Sequence, residues 1–361
     1  MIAISGRGGL VGWHLRAVLH SQGRSWQDVD LRQVDPTPSA AGHLAGVATA
    51  IHVAGISRGS DHDVRDGNVE LARRFVAALD AAGARPRRLV YADTGMRGPS
   101  PYTEGKALAR EVLSAAAARW GAEFVDVVIQ NVFGEHGTPY HNGVALTFCH
   151  QIARGERPSV DSDDVRTFVH AQDVAEALAD TIDQTELDRR GTSMTIPELA
   201  DRITAFAEVY GRGEIPALRS RFDRDLFNTY RSYAFAVSPV HELTAAVDDR
   251  GAFTELVRAH GSAGQTGAST TLPGVTRGDH FHRRKIERFV VLQGEARIVL
   301  RRVLTRERQV LHVTGDHPVA IDMPTLWAHS ITNTGSAPLV TVFWADELFD
   351  PIHPDTHEDA A

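Results

Sequence analysis

The sequence GVTRGDHFHRRKIERFVVLQG, from Gly274 to Gly294, places His280, His282 and Glu287 at short intervals in an apolar run typical of β-strands. Residues two apart on a strand point to the same face of the sheet. We therefore expect His280 and His282 to aim at one point, and Glu287 to return to that point after the intervening turn. Two imidazoles and a carboxylate are common ligands of a zinc-like divalent metal.

A second segment, GDHPVAIDMPTLWAHSITN, adds His329 to this expected ligand set from a distant strand. The chain has 18 histidines, so a single His-x-His pair arises easily by chance and the whole spacing must carry the argument. That spacing, G-x5-H-x-H-x4-E-x6-G followed by P-x4-H-x3-N, resembles the two motifs of the cupin family. Leu326 departs from it, because the second motif usually has glycine there. The resemblance implies an all-β cupin (jelly-roll) barrel in the last third of the chain and a divalent metal, zinc by preference.

Length and composition narrow the class of protein. A chain of 361 residues is long for one hydrophobic core and favours two domains. Its 42% hydrophobic and 23% charged residues are typical of a soluble enzyme, and its net charge of -8 argues against a nucleic-acid partner. No apolar run reaches the roughly 18 residues of a membrane span, and no signal peptide is evident, so we expect a cytoplasmic protein. Cys149 is the only cysteine, which excludes an internal disulfide.

The N-terminus has the pattern of a dinucleotide-binding turn. Ile2 to Ser5 is an apolar strand, followed by GRGGLVG and a helical stretch to about His20. In this pattern Gly6 permits a tight turn and Gly9 lets a pyrophosphate approach the backbone. Gly12 allows the helix to pack on the strand. A strand–turn–helix with these spacings favours a parallel α/β domain that binds a dinucleotide.

The next strands supply further candidate cofactor contacts. We place the second strand within Gln27 to Gln33, where an acidic residue would bind a ribose 2′-hydroxyl and an arginine would accept a 2′-phosphate. Asp30 and Arg32 are both present, so these residues leave NAD and NADP open, and both are equally well explained as solvated loop charges. The following strand, AIHVA, ends at Ala54 and Gly55, whose small size lets a cofactor lie against the strand end.

A Tyr-x-x-x-Lys pair opens a later helix that is predicted to run to about Trp120. Tyr102 and Lys106 are four residues apart and therefore lie on one helical face. The Lys106 ammonium is expected to lower the pKa of the phenol, so that Tyr102 exchanges a proton with a carbonyl oxygen. Together with the glycine-rich turn, this order resembles the extended short-chain dehydrogenase/reductase family. That family has a hydroxyl upstream of the tyrosine, and here the candidate is Thr94, with Asp93 where serine is common.

Two further segments extend this resemblance to family members that act on nucleotide sugars. NVFG begins at Asn131, and RTFVHAQDVA begins at Arg166. In those relatives the arginine often contacts the substrate diphosphate, because its guanidinium binds phosphate oxygens in pairs. The resemblance thus implies Asn131 and Arg166 as substrate-binding residues, while a surface ion pair is the alternative explanation for Arg166. Val128 stands where the family often has another arginine.

The remaining regions are less regular. TIPELADRITAFAEV, from Thr195 to Val209, and FDRDLFNTYRSY, from Phe222 to Tyr233, are predicted helices. We interpret them as a lobe that covers the substrate and as a hinge to the cupin. The polar tail from Asp350 to Ala361 is expected to fray.

The two halves together predict an α/β Rossmann-type doubly wound parallel sheet in residues 1–237, followed by the cupin barrel in residues 238–361. This combination resembles the CapF/WbjC family of capsular polysaccharide assembling enzymes. The shared segments include DLFNTY (Asp225 to Tyr230), DDRGAFTE (Asp248 to Glu255) and FDP (Phe349 to Pro351).

The resemblance implies a bifunctional enzyme that acts on a UDP-2-acetamido-2,6-dideoxy-hexos-4-ulose. In the family the cupin domain inverts C3, and the reductase domain then reduces the C4 ketone with NADPH. The product would be UDP-N-acetyl-L-talosamine, on the route to UDP-N-acetyl-L-fucosamine. Tyr102 would donate the proton, Lys106 would tune it and hold the cofactor ribose, and Thr94 would orient it. The family resemblance also implies a homodimer. A metal with four protein ligands would be structural unless its coordination expands.

Three alternatives remain open on the sequence. A NAD-dependent nucleotide-sugar epimerase or dehydratase would use the same Rossmann-type domain without net reduction. A non-catalytic nucleotide-binding regulator would use the cupin as a sensor, although it would have no need of the Tyr-x-x-x-Lys pair. A cupin oxygenase would hold iron with the same histidines and glutamate.

Overall fold

The computed structural model describes residues 1–32, 42–141, 143–249, 251–261 and 264–361. The chain divides into two compact units. The predicted boundary between residues 237 and 238 stays a prediction, and residues 195–237 group with the second unit. The first unit comprises Met1–Phe133, His141–Gly143 and Val165–Met194, and the second comprises Gly134–Tyr140, Val144–Asp164 and Thr195–Ala361.

The first unit is built on a parallel five-stranded sheet with the order β2-β1-β3-β4-β5. β1 lies between β2 and β3 and pairs in parallel with both, so the chain order reverses there. In open parallel sheets such a reversal creates a crevice at the carboxyl ends of the strands, where cofactors bind. The strands are β1 Ile2–Ser5, β2 Trp26–Asp28, β3 Thr49–His52, β4 Arg88–Thr94 and β5 Glu123–Ile129.

Helices cover both faces of this sheet. On one face α2 and α3 bury a core that includes Phe75, Leu79 and Leu113, and on the other α1 and α5 bury one that includes Leu15 and Val174. A doubly covered sheet explains why its strands are nearly continuous apolar runs. The helices are α1 Leu10–Ser21, α2 Asp61–Ala81, α3 Pro101–Trp120, α5 Ala171–Leu178 and α6 Gln184–Arg190. α4, described below, belongs to the second unit.

A small second sheet, with the order β6-β7-β8, completes the first unit. Its first two strands pair in parallel, with Asn131 opposite Phe168. The strands are β6 Asn131–Phe133, β7 Val165–His170 and β8 Thr192–Thr195.

Within its described residues, the second unit contains three helices, two five-stranded antiparallel sheets and one two-stranded sheet. Each of the last two helices begins at a side-chain cap, Thr195 for α7 and Ser220 for α8. The larger sheets have the orders β12-β19-β14-β17-β9 and β16-β15-β18-β13-β20, and β10 and β11 form a hairpin. The helices are α4 Val144–Ala153, α7 Ile196–Tyr210 and α8 Arg221–Val237. The strands are β9 Val240–Glu242, β10 Ala245–Asp248, β11 Gly251–Thr254, β12 Gln265–Thr271, β13 Thr276–Phe281, β14 Glu287–Gln293, β15 Glu295–Arg302, β16 Arg308–Thr314, β17 Val319–Met323, β18 Trp327–Asn333, β19 Leu339–Ala345 and β20 His357–Glu358.

Apolar side chains from both antiparallel sheets meet in one core, which includes Ile298, Leu300, Ile321 and Ile331. Phe235 of α8 contributes to the same core and lies against the ring of Trp327, with 5.3 Å between ring centroids. The predicted fold class, a Rossmann-type parallel sheet followed by an all-β domain, is confirmed. No helix among the described residues is both long and apolar enough to cross a membrane.

Two local predictions differ from the structure. The second strand is Trp26–Asp28 rather than a segment within Gln27 to Gln33, and Gln33 lies outside the described residues. The tail that we expected to fray is instead paired from its middle onward, because β20 joins β13. Helix α2 begins at Asp61, where Ser60 and Asp63 form a capping box.

Candidate functional site

The glycine-rich turn leaves space where a dinucleotide would lie. Gly6 has φ +78°, and a Cβ there would stand 2.6 Å from the amide nitrogen of Ala54. A Cβ on Gly12 would stand 2.1 Å from the Gly6 carbonyl oxygen. Gly9 is different, since a Cβ there would lie 3.7 Å from the Gly6 oxygen and would meet nothing closer. Among the described residues, no side chain caps the start of α1. Open space before uncapped amides fits a pyrophosphate.

The end of β3 is held against this turn by Ser5. Its hydroxyl accepts the Val53 and Ala54 amide protons at 3.2 and 3.3 Å and lies 2.9 Å from Nδ1 of buried His52. Gly55 follows, and a Cβ on this residue would make a tight contact of 3.2 Å with the Asn68 side chain. The strand end therefore presents two small residues, Ala54 and Gly55, beside the glycine-rich turn.

The charged residues nearest the end of β2 are ones that the sequence analysis missed. Asp28 is the last residue of the strand and lies 3.6 Å from Arg7 of the glycine-rich turn and 3.9 Å from Arg16. Arg32 and Asp30 lie beyond the strand and form an exposed ion pair at 2.6 Å. The strand begins at Trp26, one residue before the predicted segment, and it therefore ends at Asp28 rather than near Asp30 and Arg32.

Thr94, Tyr102 and Lys106 form a cluster at the carboxyl end of β4. Thr94 ends that strand, and Tyr102 and Lys106 lie in the first two turns of α3, whose start is fixed by a Ser100 capping box. The Thr94 side chain lies close enough to the Tyr102 phenol to lower its pKa, and the Thr94 hydroxyl accepts the Met96 amide proton at 3.1 Å. Lys106 is 4% exposed, and its ammonium donates to the Ala92 carbonyl oxygen.

The pKa values in this cluster differ from the expected ones. Burial, followed by the nearby Asp93 carboxylate, raises the pKa of Tyr102, and Thr94 only partly opposes this rise. The structure therefore does not show the lowering of the Tyr102 pKa that we expected Lys106 to cause. Burial lowers the pKa of Lys106 to about 8, against the opposing charges of Asp93 and Asp126. A phenol that stays protonated at neutral pH is suited to donate a proton.

Asn131 and Arg166 lie on neighbouring strands of the small sheet. Asn131 starts β6 and donates from its side chain to the Thr167 carbonyl oxygen at 3.1 Å. Arg166 is exposed on β7, next to Thr167. The structure thus brings the two predicted substrate-binding residues to one sheet of the first unit.

In the second unit, His280, His282, Glu287 and His329 converge. One ligand atom from each lies within 4.8 Å of the others. His280 on β13 pairs directly with His329 on β18, at a bulge between Gly278 and His280. Glu287 begins β14, and all four side chains are at least partly buried.

The electrostatics of these four residues fit a divalent metal. Nε2 of His282 and Nε2 of His329 approach the same Glu287 oxygen, at 2.9 and 3.5 Å, yet neither makes a well-formed hydrogen bond within the described residues. Burial by itself favours a neutral Glu287, but the two histidines outweigh it and hold the pKa of that carboxyl well below its usual range. Burial and the other two imidazoles lower the pKa of His280 to about 4, which favours a neutral imidazole. An ionised carboxylate among imidazole nitrogens is a donor set for zinc.

The outer nitrogens of two ligands are fixed by backbone carbonyls. His282 Nδ1 lies 2.6 Å from the Asp355 carbonyl oxygen, and His329 Nδ1 lies 3.3 Å from that of Trp327. A carbonyl only accepts, so Nδ1 carries the proton and Nε2 presents its lone pair inward. Leu326, where the motif usually has glycine, adopts φ +63° and donates its amide proton to the His282 carbonyl oxygen at 2.8 Å.

Comparison with known proteins identifies the class. Residues 2–196 match the NAD dependent epimerase/dehydratase family, and the chain belongs to it. Residues 246–357 match a polysaccharide biosynthesis C-terminal domain. The first unit is accordingly the nicotinamide-cofactor domain of that family.

Three relatives, two of which match along the whole chain, describe the similarity further. The crystal structure of the capsular polysaccharide assembling protein CapF from Staphylococcus aureus is 28% identical, with full coverage of both chains and a TM-score of 0.61. UDP-2-acetamido-2,6-beta-L-arabino-hexul-4-ose reductase of Pseudomonas aeruginosa is 27% identical over 99% of this chain and 97% of its own. The spore coat polysaccharide biosynthesis protein SpsL of Bacillus subtilis is 29% identical over 32% of this chain and 83% of its own. The predicted CapF-like character of the chain is confirmed.

Proposed function

We propose that this protein is a bifunctional nucleotide-sugar enzyme of capsule-type polysaccharide biosynthesis. Its substrate is a UDP-2-acetamido-2,6-dideoxy-hexos-4-ulose. The second unit epimerises C3, and the first unit then reduces the C4 ketone with NADPH, giving UDP-N-acetyl-L-talosamine. The observation that carries the proposal is the end-to-end match with a reductase whose name specifies a 4-keto UDP-sugar.

The reductase half is supported by the cluster at the end of β4. When bound, NADPH supplies the hydride that reduces C4. Tyr102, whose phenol is protonated at neutral pH, donates its proton to the C4 oxygen as the alcohol forms. Thr94, which lies beside the phenol, would orient it. Lys106 is anchored by the Ala92 carbonyl oxygen and places a positive charge beside the developing oxyanion.

The charges around the glycine-rich turn bear on cofactor choice. Arg7 lies in the turn, Arg16 in α1, and both are near Asp28. Arg32 is exposed and, among the described residues, forms an ion pair with Asp30. Guanidinium groups at this position would bind a 2′-phosphate, whereas Asp28 at the end of β2 would bind a ribose 2′-hydroxyl, so the proposal of NADPH rests on the CapF-like resemblance.

The epimerase half is supported by the three histidines and one glutamate. His280, His282, Glu287 and His329 would hold zinc, which when bound supplies Lewis-acid polarisation or structural rigidity. Inversion at C3 requires loss and return of the C3 proton, which the adjacent C4 ketone makes acidic.

Arg166 and Asn131 would contact the UDP portion of the substrate in the reductase unit. We expect the functional state to be a homodimer.

The direct test is cofactor oxidation, followed by absorbance, with the 4-keto UDP-sugar and either NADPH or NADH. We expect substrate-dependent oxidation of NADPH, with a lower KM than for NADH, and loss of turnover in Tyr102→Phe. A reaction with no net oxidation of NADPH, catalysed by protein that keeps NAD bound through purification, would instead favour the NAD-dependent epimerase or dehydratase alternative.

A further inference from the structure

The tail of the chain contacts the candidate metal site, although the sequence predicted that it would fray. The Asp355 carbonyl oxygen accepts the Nδ1 proton of His282 at 2.6 Å. That contact joins residues 73 positions apart in sequence, and both are buried. We call residues 354–359 the C-terminal strap.

The Asp355 side chain binds the turn that connects two candidate ligands. Its carboxylate accepts three successive backbone amide protons, from Arg283 at 3.1 Å and from Arg284 and Lys285 at 2.9 Å each. These residues form the turn between His282 and Glu287. Three amides on one carboxylate fix the turn and the position of Asp355 itself, which has φ +45°, a conformation that aspartate tolerates better than most residues.

Further contacts hold the strap along the strand that carries His280. Glu358 pairs with His280 and His357 with Phe281, so the strap adds a short antiparallel strand at the edge of β13. The Lys285 ammonium donates to the Pro354 carbonyl oxygen at 3.0 Å. At the far end, Asp359 forms an ion pair with Arg301 at 2.5 Å. The strap is thus fixed at both ends.

We propose that the C-terminal strap positions His282 for metal binding, with Asp355 as the positioning residue. A neutral imidazole has two tautomers, and the Asp355 carbonyl stabilises the one protonated at Nδ1. This leaves the Nε2 lone pair directed at Glu287 and stops the ring from rotating. The same carboxylate holds the turn that sets the separation of His282 and Glu287. The inference rests on the proposed metal site and adds to it a contribution from the end of the chain.

The test is zinc affinity of the full-length protein, measured by competition with a chromophoric chelator. Asp355→Asn keeps the size and the backbone preference but removes the charge that three amides share. Partners that orient a metal-bound histidine typically change metal affinity by about 10- to 100-fold, and we expect a loss of that size. The matched control is Asp350→Asn, an exposed aspartate of the same tail that bonds only to Ile352 and His353 among the described residues. It should keep native affinity.

A second readout keeps loss of folding separate from loss of positioning. Cobalt substituted for zinc reports ligand geometry through its visible absorption, so Asp355→Asn should alter the band shape while its far-ultraviolet circular dichroism stays native. Lys285→Met removes the hydrogen bond to the Pro354 carbonyl oxygen and should also lower zinc affinity. Native zinc affinity in a folded Asp355→Asn protein overturns the strap proposal alone. Absence of zinc binding by the native protein overturns the proposed metal site and the strap together.

Discussion

Replacing Asp322 with asparagine removes the negative charge from a buried cluster in the second unit. Asp322 is 2% exposed and accepts from Arg288 at 2.7 and 3.1 Å and from the Tyr210 hydroxyl at 2.8 Å. Arg231 and His241 lie 4.0 and 3.7 Å from the same carboxylate. Arg288 is 1% exposed, so the substitution leaves its guanidinium buried without a counter-charge.

The expected cost follows from this burial. Breaking a buried ion pair by removing one partner typically lowers the free energy of unfolding by ~3–5 kcal/mol, because the other charge stays desolvated. The control is Glu255→Gln, which breaks an exposed pair with Arg258 at 2.6 Å and should cost at most ~1 kcal/mol. Urea unfolding at neutral pH measures both. An Asp322→Asn protein within ~1 kcal/mol of native would refute the reasoning.

The pH dependence of stability gives a second measure of the same cluster. Burial alone would raise the pKa of Asp322, but Arg288 and Arg231 outweigh it and hold that pKa well below its usual range. The folded pKa is below the unfolded value of about 3.9, so the stabilisation is fully present above that pH and is lost as pH falls further. Native protein should therefore lose stability on acidification below about pH 4 more steeply than Asp322→Asn does.

Three further predictions concern the candidate sites. Tyr102→Phe should lower kcat for ketone reduction by about 10²- to 10⁴-fold while leaving NADPH binding near native, as measured by turnover and fluorescence titration. In the native enzyme the reduction rate should fall as pH rises through the pKa of Lys106, about 8, because the ammonium is lost; a flat profile up to pH 10 would contradict this. Gly12→Ala should abolish cofactor binding, since its Cβ would stand 2.1 Å from the Gly6 oxygen, whereas Gly8→Ala has open space and should bind normally.

Local patterns predicted much of the fold. The glycine-rich turn lies between β1 and α1, and Tyr102 and Lys106 fall in the first turns of α3. The spacing of His280, His282 and Glu287 anticipated a cluster that forms across β13 and β14. These features depend on residues close in sequence, whose geometry a strand or helix period largely determines.

What the sequence did not predict depends on long-range contacts. The β2 strand ends at Asp28 because it pairs with β1 from Trp26, and three residues carry little periodicity. The tail is ordered by Asp355 bonding a turn about 70 residues away, which no local pattern reveals. The pKa of Tyr102 rises because burial and the Asp93 carboxylate outweigh the effect of Thr94, and burial is a property of the folded chain.

The most direct test of the account is deuterium uptake at C3 of the 4-keto UDP-sugar in heavy water, read by NMR, with NADPH present. We expect the native enzyme to label C3 and to consume NADPH. His282→Ala should lose labelling, while Tyr102→Phe should keep labelling and lose NADPH consumption. If the native enzyme reduces the ketone without labelling C3, or if His282→Ala labels C3 at the native rate, the assignment of epimerisation to the second unit is wrong.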